Sequence, residues 1–150
     1  MFRKILVPID FNDIAERPVA LALSLAGEHG AQVVLLAVVD DSFPNPDIMS
    51  FQLPWADFHR HLRDEASHRL EELKARLGGA DVAEVCVVRG QPARTIVKFA
   101  DEEGCDLIVM ATHGTAGLHH ALVGSVTRKV IHQAKCPVLV VRLHPHEHSH

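Results

Sequence analysis

Apolar residues in this chain fall into short, nearly unbroken runs. Between the runs lie longer stretches in which they return every three or four positions. Five runs are rich in β-branched residues: Lys4–Ile9 (KILVPI), Gln32–Val39 (QVVLLAVV), Val82–Val88 (VAEVCVV), Asp106–Met110 (DLIVM) and Pro137–Arg142 (PVLVVR). Four are almost continuously apolar, the pattern of parallel strands covered on both faces. The third alternates more and reads as an edge strand.

The intervening stretches carry helical spacing. After the first strand, Asn12 or Asp13 can cap a helix running to about His29, with Val19, Ala22, Leu23 and Ala26 on its apolar face. Pro18 fits only near the first turn of that helix, and Gly30 ends it. A second helix over about Asp57–Leu77 aligns Phe58, Leu62, Ala66, Leu70, Leu73 and Leu77, and Gly78-Gly79 stops it. A third begins at Pro92, a residue suited to the first helical position, and ends before Gly104. A fourth covers about Ser125–Ala134, with Val126, Val130 and Ala134 on one side. Strands alternating with helices make β-α-β units, hence a mostly parallel sheet with right-handed crossovers. Periodicity does not give the order of the strands. The segment Asp41–Ala56 is the one long irregular connection, and two readings of it stand level: a lid or partner surface, and a disordered excursion. We expect one domain over residues 1–143 and a separate His-rich tail over 144–150 (HPHEHSH).

Composition narrows the function. A chain of 150 residues with a net charge of −4 lacks the clustered Lys and Arg that a nucleic-acid surface needs. Cys86, Cys105 and Cys136 are far apart in sequence and odd in number, which argues against a zinc site or a disulfide framework and fits a reducing compartment. Pro8 and Asp10 interrupt the first apolar run too early for a signal peptide, and runs such as Val33–Val39 are too short to span a bilayer. A cytoplasmic location without membrane insertion is the expectation.

The stretch DLIVMATHGTAGLHHALVGSVTRKVI carries the main candidate chemistry. Gly114, Gly117 and Gly124 follow a buried strand and precede a helix. The N-terminus of a helix presents unpaired N–H groups and a partial positive charge, and glycines let a ligand approach the backbone. An anion, in particular a phosphate, suits such a place, with Ser125 capping the helix and donating its hydroxyl. The plainer alternative is a turn that needs glycine for its geometry. The stretch is not GxxxxGK[ST], since Ser125 stands where the lysine would be, nor GxGxxG, and HGTAGLHH does not have the HxGH spacing. Asp10 ends the first strand, at the edge where open α/β sheets bind ligands. Its carboxylate suits a ribose hydroxyl or an adenine amino group, or else a helix cap.

With these motifs in order, KILVPIDFND, LLAVVDD, VRGQPARTIVKFADEEGCDLIVMATHG and GSVTRKVIHQAKCPVLVVR, the chain resembles the universal stress protein family over nearly its whole length. The ATP-binding branch of that family carries G-x2-G-x9-G-[S/T]. Here the pattern runs Ala111-Thr112-His113-Gly114, nine residues Thr115–Val123, then Gly124-Ser125, with Ala111 in place of the first glycine. The resemblance implies a flavodoxin-like (adenine nucleotide alpha-hydrolase-like) α/β fold, an open parallel five-stranded sheet of order 3-2-1-4-5 with helices on both faces. It implies that Asp10 takes a base or ribose role, that Val38 meets adenine through its backbone, and that Pro8 and Ile9 line the base pocket. Met110, Ala111, His113 and Gly114 border the ribose and phosphates in the same scheme, and Gly124, Ser125, Val126 and Thr127 bind the phosphates through N–H groups and hydroxyls. Gly117 supplies loop freedom.

No Ser-His-Asp arrangement or activated cysteine stands out, so binding is favoured over turnover. The Asp40-Asp41 pair reads as a solvated turn before a metal site, adjacent His119 and His120 do not share a helix face, and alternating His144, His146, His148 and His150 read as a solvated tail. The last strand, CPVLVVRL, is apolar on both faces, and an exposed apolar edge invites a second copy; the resemblance also implies a homodimer through Pro137–Arg142. The resulting expectation is a cytoplasmic stress-response protein that binds ATP or another adenine nucleotide, with or without Mg²⁺, as a dimeric sensor or regulator. The alternatives are a nucleotide-free interaction module of the same family and a slow ATPase. No protein partner is named by the sequence.

Overall fold

The computed structural model describes residues 1–11, 13–40, 55–78, 81–112 and 123–143. Among these, strands and helices alternate without exception: β1 (Lys4–Ile9), α1 (Glu16–His29), β2 (Gln32–Asp40), α2 (Trp55–Leu77), β3 (Val82–Gly90), α3 (Pro92–Glu102), β4 (Leu107–Ala111), α4 (Ser125–Gln133) and β5 (Val138–Val141). All four strand pairings are parallel, and the order is β3-β2-β1-β4-β5. This is the 3-2-1-4-5 order that the resemblance implies. The edge position expected for β3 is found, and β5 forms the other edge.

The period of two along each strand divides the core in two. Ile5, Val7 and Ile9 face one side, where they pack with Val19, Ala22 and Ala26 of α1 and Ala66, Leu70 and Leu73 of α2. Leu6, Val34 and Leu36 face the other side, against Ala93, Ile96 and Ala100 of α3 and Val130 of α4. Central strands buried from both sides need apolar residues at every position, which is why their sequences do not alternate.

Asp106 holds the amino end of the sheet. Its carboxylate accepts from the backbone N–H of Arg3 at 2.9 Å and of Lys4 at 3.1 Å, and its own N–H donates to the Lys4 carbonyl at 3.0 Å. A carboxylate that answers two strand-end amides fixes the start of β4 beside the start of β1. The carboxyl end behaves differently. β1 runs beside β2 through Ile9↔Ala37, but its pairing with β4 covers only Ile5↔Leu107 and Leu6↔Ile108. Pro8, two residues beyond Leu6, has no N–H to give to either ladder. β1 and β4 are therefore not paired with each other toward their carboxyl ends.

Several element ends differ from expectation. α1 begins at Glu16, after Ala15 in the N-cap position with no side-chain cap, so Asp13 is not its cap; Asn12 lies outside the described residues. Asp13 instead closes a turn, its N–H donating to the Asp10 carbonyl at 3.0 Å. Pro18 falls in the first turn, where a missing N–H costs no helical bond. Gly30 ends α1 in the left-handed region (φ 67°), and its N–H donates to the Ala26 carbonyl. α2 starts at Trp55, two residues earlier than the pattern suggested. α3 starts at Pro92, as expected, with the Gln91 side chain accepting from the Arg94 N–H at 2.7 Å. In α4 the N-cap is Gly124 rather than Ser125, which is the first helical residue; Gly124 has no side chain to cap with, and its N–H donates to the Thr112 carbonyl at 2.6 Å. The irregular connection over 41–54, Gly79, the stretch 113–122 with Gly117, His119 and His120, and the His-rich tail over 144–150 lie outside the described residues.

Candidate functional site

The carboxyl edge of the sheet opens into a cavity of about 410 Å³. β1 contributes Pro8 and Ile9, the turn after it contributes Asp10, Phe11 and Asp13, and β2 contributes Leu36, Val38, Val39 and Asp40. β4 supplies Met110 and Ala111, and the first turn of α4 supplies Val126 and Thr127. The order of the sheet explains the place. The chain leaves β1 toward β2 on one side, while β4 lies on the other, so the loops after β1 and β4 diverge and leave a crevice between them.

The lining has two chemical parts. Pro8, Ile9, Leu36, Val38, Val39 and Met110 make an apolar wall suited to a flat ring. Asp10, Asp13 and Asp40 place three carboxylates on it, and no lysine or arginine lines it among the described residues. Carboxylates accept hydrogen bonds from hydroxyl and amino groups. The complementary positive end is supplied by backbone. In the first turn of α4, the N–H groups of Ser125, Val126 and Thr127 have no acceptor within the helix, and the helix dipole adds partial positive charge there. A ligand with an amino- or hydroxyl-bearing ring at one end and an anionic group at the other matches this layout.

The expected site residues distribute as follows. Pro8, Ile9, Asp10, Val38, Met110, Ala111, Val126 and Thr127 all line the cavity. Gly124 and Ser125 are not in its lining but form the N-cap and first residue of α4 immediately beside it. His113 and Gly114 lie outside the described residues. Thr127 is 4% exposed, and its hydroxyl donates to the Ala111 carbonyl at 2.9 Å. The proton of that hydroxyl is thus directed at the end of β4, and Thr127 locks α4 onto the residue that replaces the first motif glycine.

Sequence reasoning missed Phe11, Asp13, Ala15 and Pro18, which follow Asp10 along the chain, and Leu62, Pro92 and Ile96, which reach the cavity from α2 and α3. Asp13 was within reach, since a second carboxylate three residues after Asp10 shares its turn. Leu62 and Ile96 carry only the signal of core residues. The thiols take no part. Cys105 and Cys136 precede β4 and β5, at the opposite edge of the sheet. Burial pushes the Cys105 thiol up from 9.0 to about 11 and raises that of Cys136. Burial, aided by Glu84, pushes Cys86 up to about 12. All three are protonated at neutral pH and are poor nucleophiles.

Among the described residues, no group of three or more His, Cys, Asp or Glu could hold a metal ion, and no helix is long and apolar enough to cross a membrane.

Thr127→Val keeps the shape of the side chain but leaves the Ala111 carbonyl without its hydroxyl donor. The expected loss is about 1–3 kcal/mol in urea denaturation. Thr127→Ser should retain most of that stability, because it keeps the donor.

Comparison with known proteins agrees with this architecture. The family model described as "Universal stress protein family" matches residues 1–142. Universal stress protein MJ0577 of Methanocaldococcus jannaschii is 35% identical, over 95% of this chain and 96% of its own length. The solved structure of MJ0577 superposes with a TM-score of 0.72 over 96% of this chain and 98% of that one. Universal stress protein UspA from Lactobacillus plantarum is 29% identical, with a TM-score of 0.74 over 94% of this chain and 98% of that one. A universal stress protein solved in complex with cAMP is 27% identical, with a TM-score of 0.58 over 94% of this chain and 97% of that one. By the extent of the family match and the identity to its curated members, the chain belongs to the universal stress protein family.

Proposed function

We propose that this protein binds ATP, or another adenine nucleotide, in the crevice between β1 and β4 and works as a stress-response sensor or regulator in the cytoplasm. The observation that carries the reading is one cavity lined by Asp10, an apolar wall and the first turn of α4. Adenine rests on Val38, Ile9 and Met110, and Asp10 accepts from the base or the ribose. The phosphates lie against the N–H groups of Ser125, Val126 and Thr127, with Gly124 at the same end. The related structure in complex with cAMP supports an adenine nucleotide as the ligand class. Mg²⁺, if it accompanies the nucleotide, arrives on the phosphates, with Asp10, Asp13 and Asp40 lining the same cavity.

Binding rather than turnover is the favoured role. Neither a thiolate nor a lysine or arginine stands at the phosphate end among the described lining residues, so the site offers positioning without an evident means of stabilising a transferring phosphoryl group. The protein works as a homodimer in this reading. β5 is an edge strand, and Leu139 on it is 37% exposed, with Ile131 of α4 exposed nearby in sequence at 44%. An apolar residue on an unpaired edge favours a second copy.

Asp10→Ala is expected to weaken ATP binding by about tenfold or more, consistent with loss of a charge-assisted hydrogen bond, in a variant that still folds. Calorimetric titration beside a thermal melt checks both. ATP binding by the variant equal to that of wild type overturns the placement of the base. Leu139→Arg is expected to convert the dimer to a monomer in light scattering. A dimer that persists places the interface elsewhere.

A further inference from the structure

The turn after β1 is held partly by another element. Between β1 and α1 the chain contributes Asp10, Phe11, Asp13 and Ala15 to the cavity. Within the turn, the Asp13 N–H closes onto the Asp10 carbonyl at 3.0 Å. The next carbonyl, that of Phe11, accepts from the Arg69 guanidinium of α2 at 2.8 Å, across 58 residues of sequence. The other terminal nitrogen of Arg69 donates to Glu65, one turn back on α2, also at 2.8 Å.

The sequence of α2 explains why this contact forms. Leu62, Arg69 and Arg76 stand seven apart, close to two helical turns, and so share one stripe of the helix. Leu62 lines the cavity, Arg69 meets Phe11, and Arg76 meets the Glu16 carboxylate where α1 begins. The stripe therefore follows the connection from the cavity to the start of α1. Beside it, Ala66, Leu70 and Leu73 are buried in the core cluster that also contains Ile9 and Phe11, which fixes how far α2 stands from the turn. The contacts along the stripe differ in kind. Arg76 and Glu16 are both exposed, and such a pair contributes little. Arg69 ends on a main-chain carbonyl next to Asp10, so it acts on the backbone of the turn. Glu65 holds one side of its planar fork, and the fork then aims its remaining donor at that carbonyl.

We propose that Arg69 is a positioning residue for the crevice: by holding the Phe11 carbonyl, it sets the turn in the arrangement that presents Asp10 to the ligand. This role rests on the reading of the crevice as an adenine-nucleotide site. It adds to that site a residue that lies outside the cavity lining and acts through the turn. Without the guanidinium the turn loses its tie to α2 and samples other arrangements. Binding must then order it, and the ordering cost is read as lost affinity.

A double-mutant cycle separates positioning from a merely structural role. ATP is titrated by calorimetry into the full chain as wild type, Asp10→Ala, Arg69→Gln and the two changes combined. Arg69→Gln is expected to weaken ATP binding about fivefold or more when Asp10 is present, and by less than about twofold when Asp10 is already alanine. The second loss is small because the group that the turn presents is gone. The role of Arg69 is overturned if Arg69→Gln binds ATP as wild type does, or if it loses the same factor with and without Asp10. Asp10→Ala binding ATP as wild type does overturns the placement of the base and this role together, whereas a loss confined to Asp10→Ala overturns only the role of Arg69. Thermal melts accompany each titration. If Arg69→Gln melts early, Glu65→Gln, which leaves the guanidinium in place and removes the charge that aims it, takes its position in the cycle under the same criterion.

Discussion

The central constraint is that β1 must be covered on both faces and paired on both edges, yet release its neighbour before its own end. Asp106 fixes the amino ends of β1 and β4 together through the amides of Arg3 and Lys4. Pairing between the two strands then covers only Ile5 and Leu6 of β1, whereas β2 accompanies β1 to Ile9. The crevice is the space that this asymmetry leaves. Its floor is rigid because it is made of strand ends from a close-packed core. Its polar groups lie on the turn after β1 and the first turn of α4, both anchored to that floor.

The anchoring is visible in two hydrogen bonds. The Asp13 N–H closes the turn onto the Asp10 carbonyl, and the Thr127 hydroxyl ties α4 to Ala111. Arg69 of α2 reinforces the first of these from behind, donating to the Phe11 carbonyl at 2.8 Å while Glu65 holds its other nitrogen at 2.8 Å. Preorganisation of this kind lowers the ordering cost of binding. It also shows how Ala111 is accommodated. It closes β4, pairs with Val141 and has its carbonyl accept from the Thr127 hydroxyl, so Ala111 lines the cavity without disturbing the strand.

Much of this was legible in the sequence because burial writes itself into periodicity. β1 was bounded correctly from KILVPI, and Pro92 marked the start of α3 to the residue. The β3 edge position was readable from the alternation in VAEVCVV. Helix starts without side-chain caps were not readable. α1 is preceded by Ala15 and α4 by Gly124, so rules that look for Ser, Asp or Asn placed the caps on Asn12 or Asp13 and on Ser125. The strand order came from the family resemblance, since nothing local in a strand states which neighbour it pairs with. Among the site residues, Asp10, Val38, Met110 and Thr127 were anticipated and line the cavity. Leu62 and Ile96 were not, because a residue at the end of a helix's buried stripe looks the same whether it meets core or cavity.

The measurement that addresses the central claim most directly is an amide chemical-shift titration of the isotope-labelled protein with ATP. The account predicts saturable shifts at Asp10, Val38, Met110 and Ser125–Thr127, around the crevice, with Cys105 and Cys136 at the opposite edge of the sheet unmoved. Absence of saturable shifts, or shifts that cluster away from the carboxyl ends of β1 and β4, would contradict it.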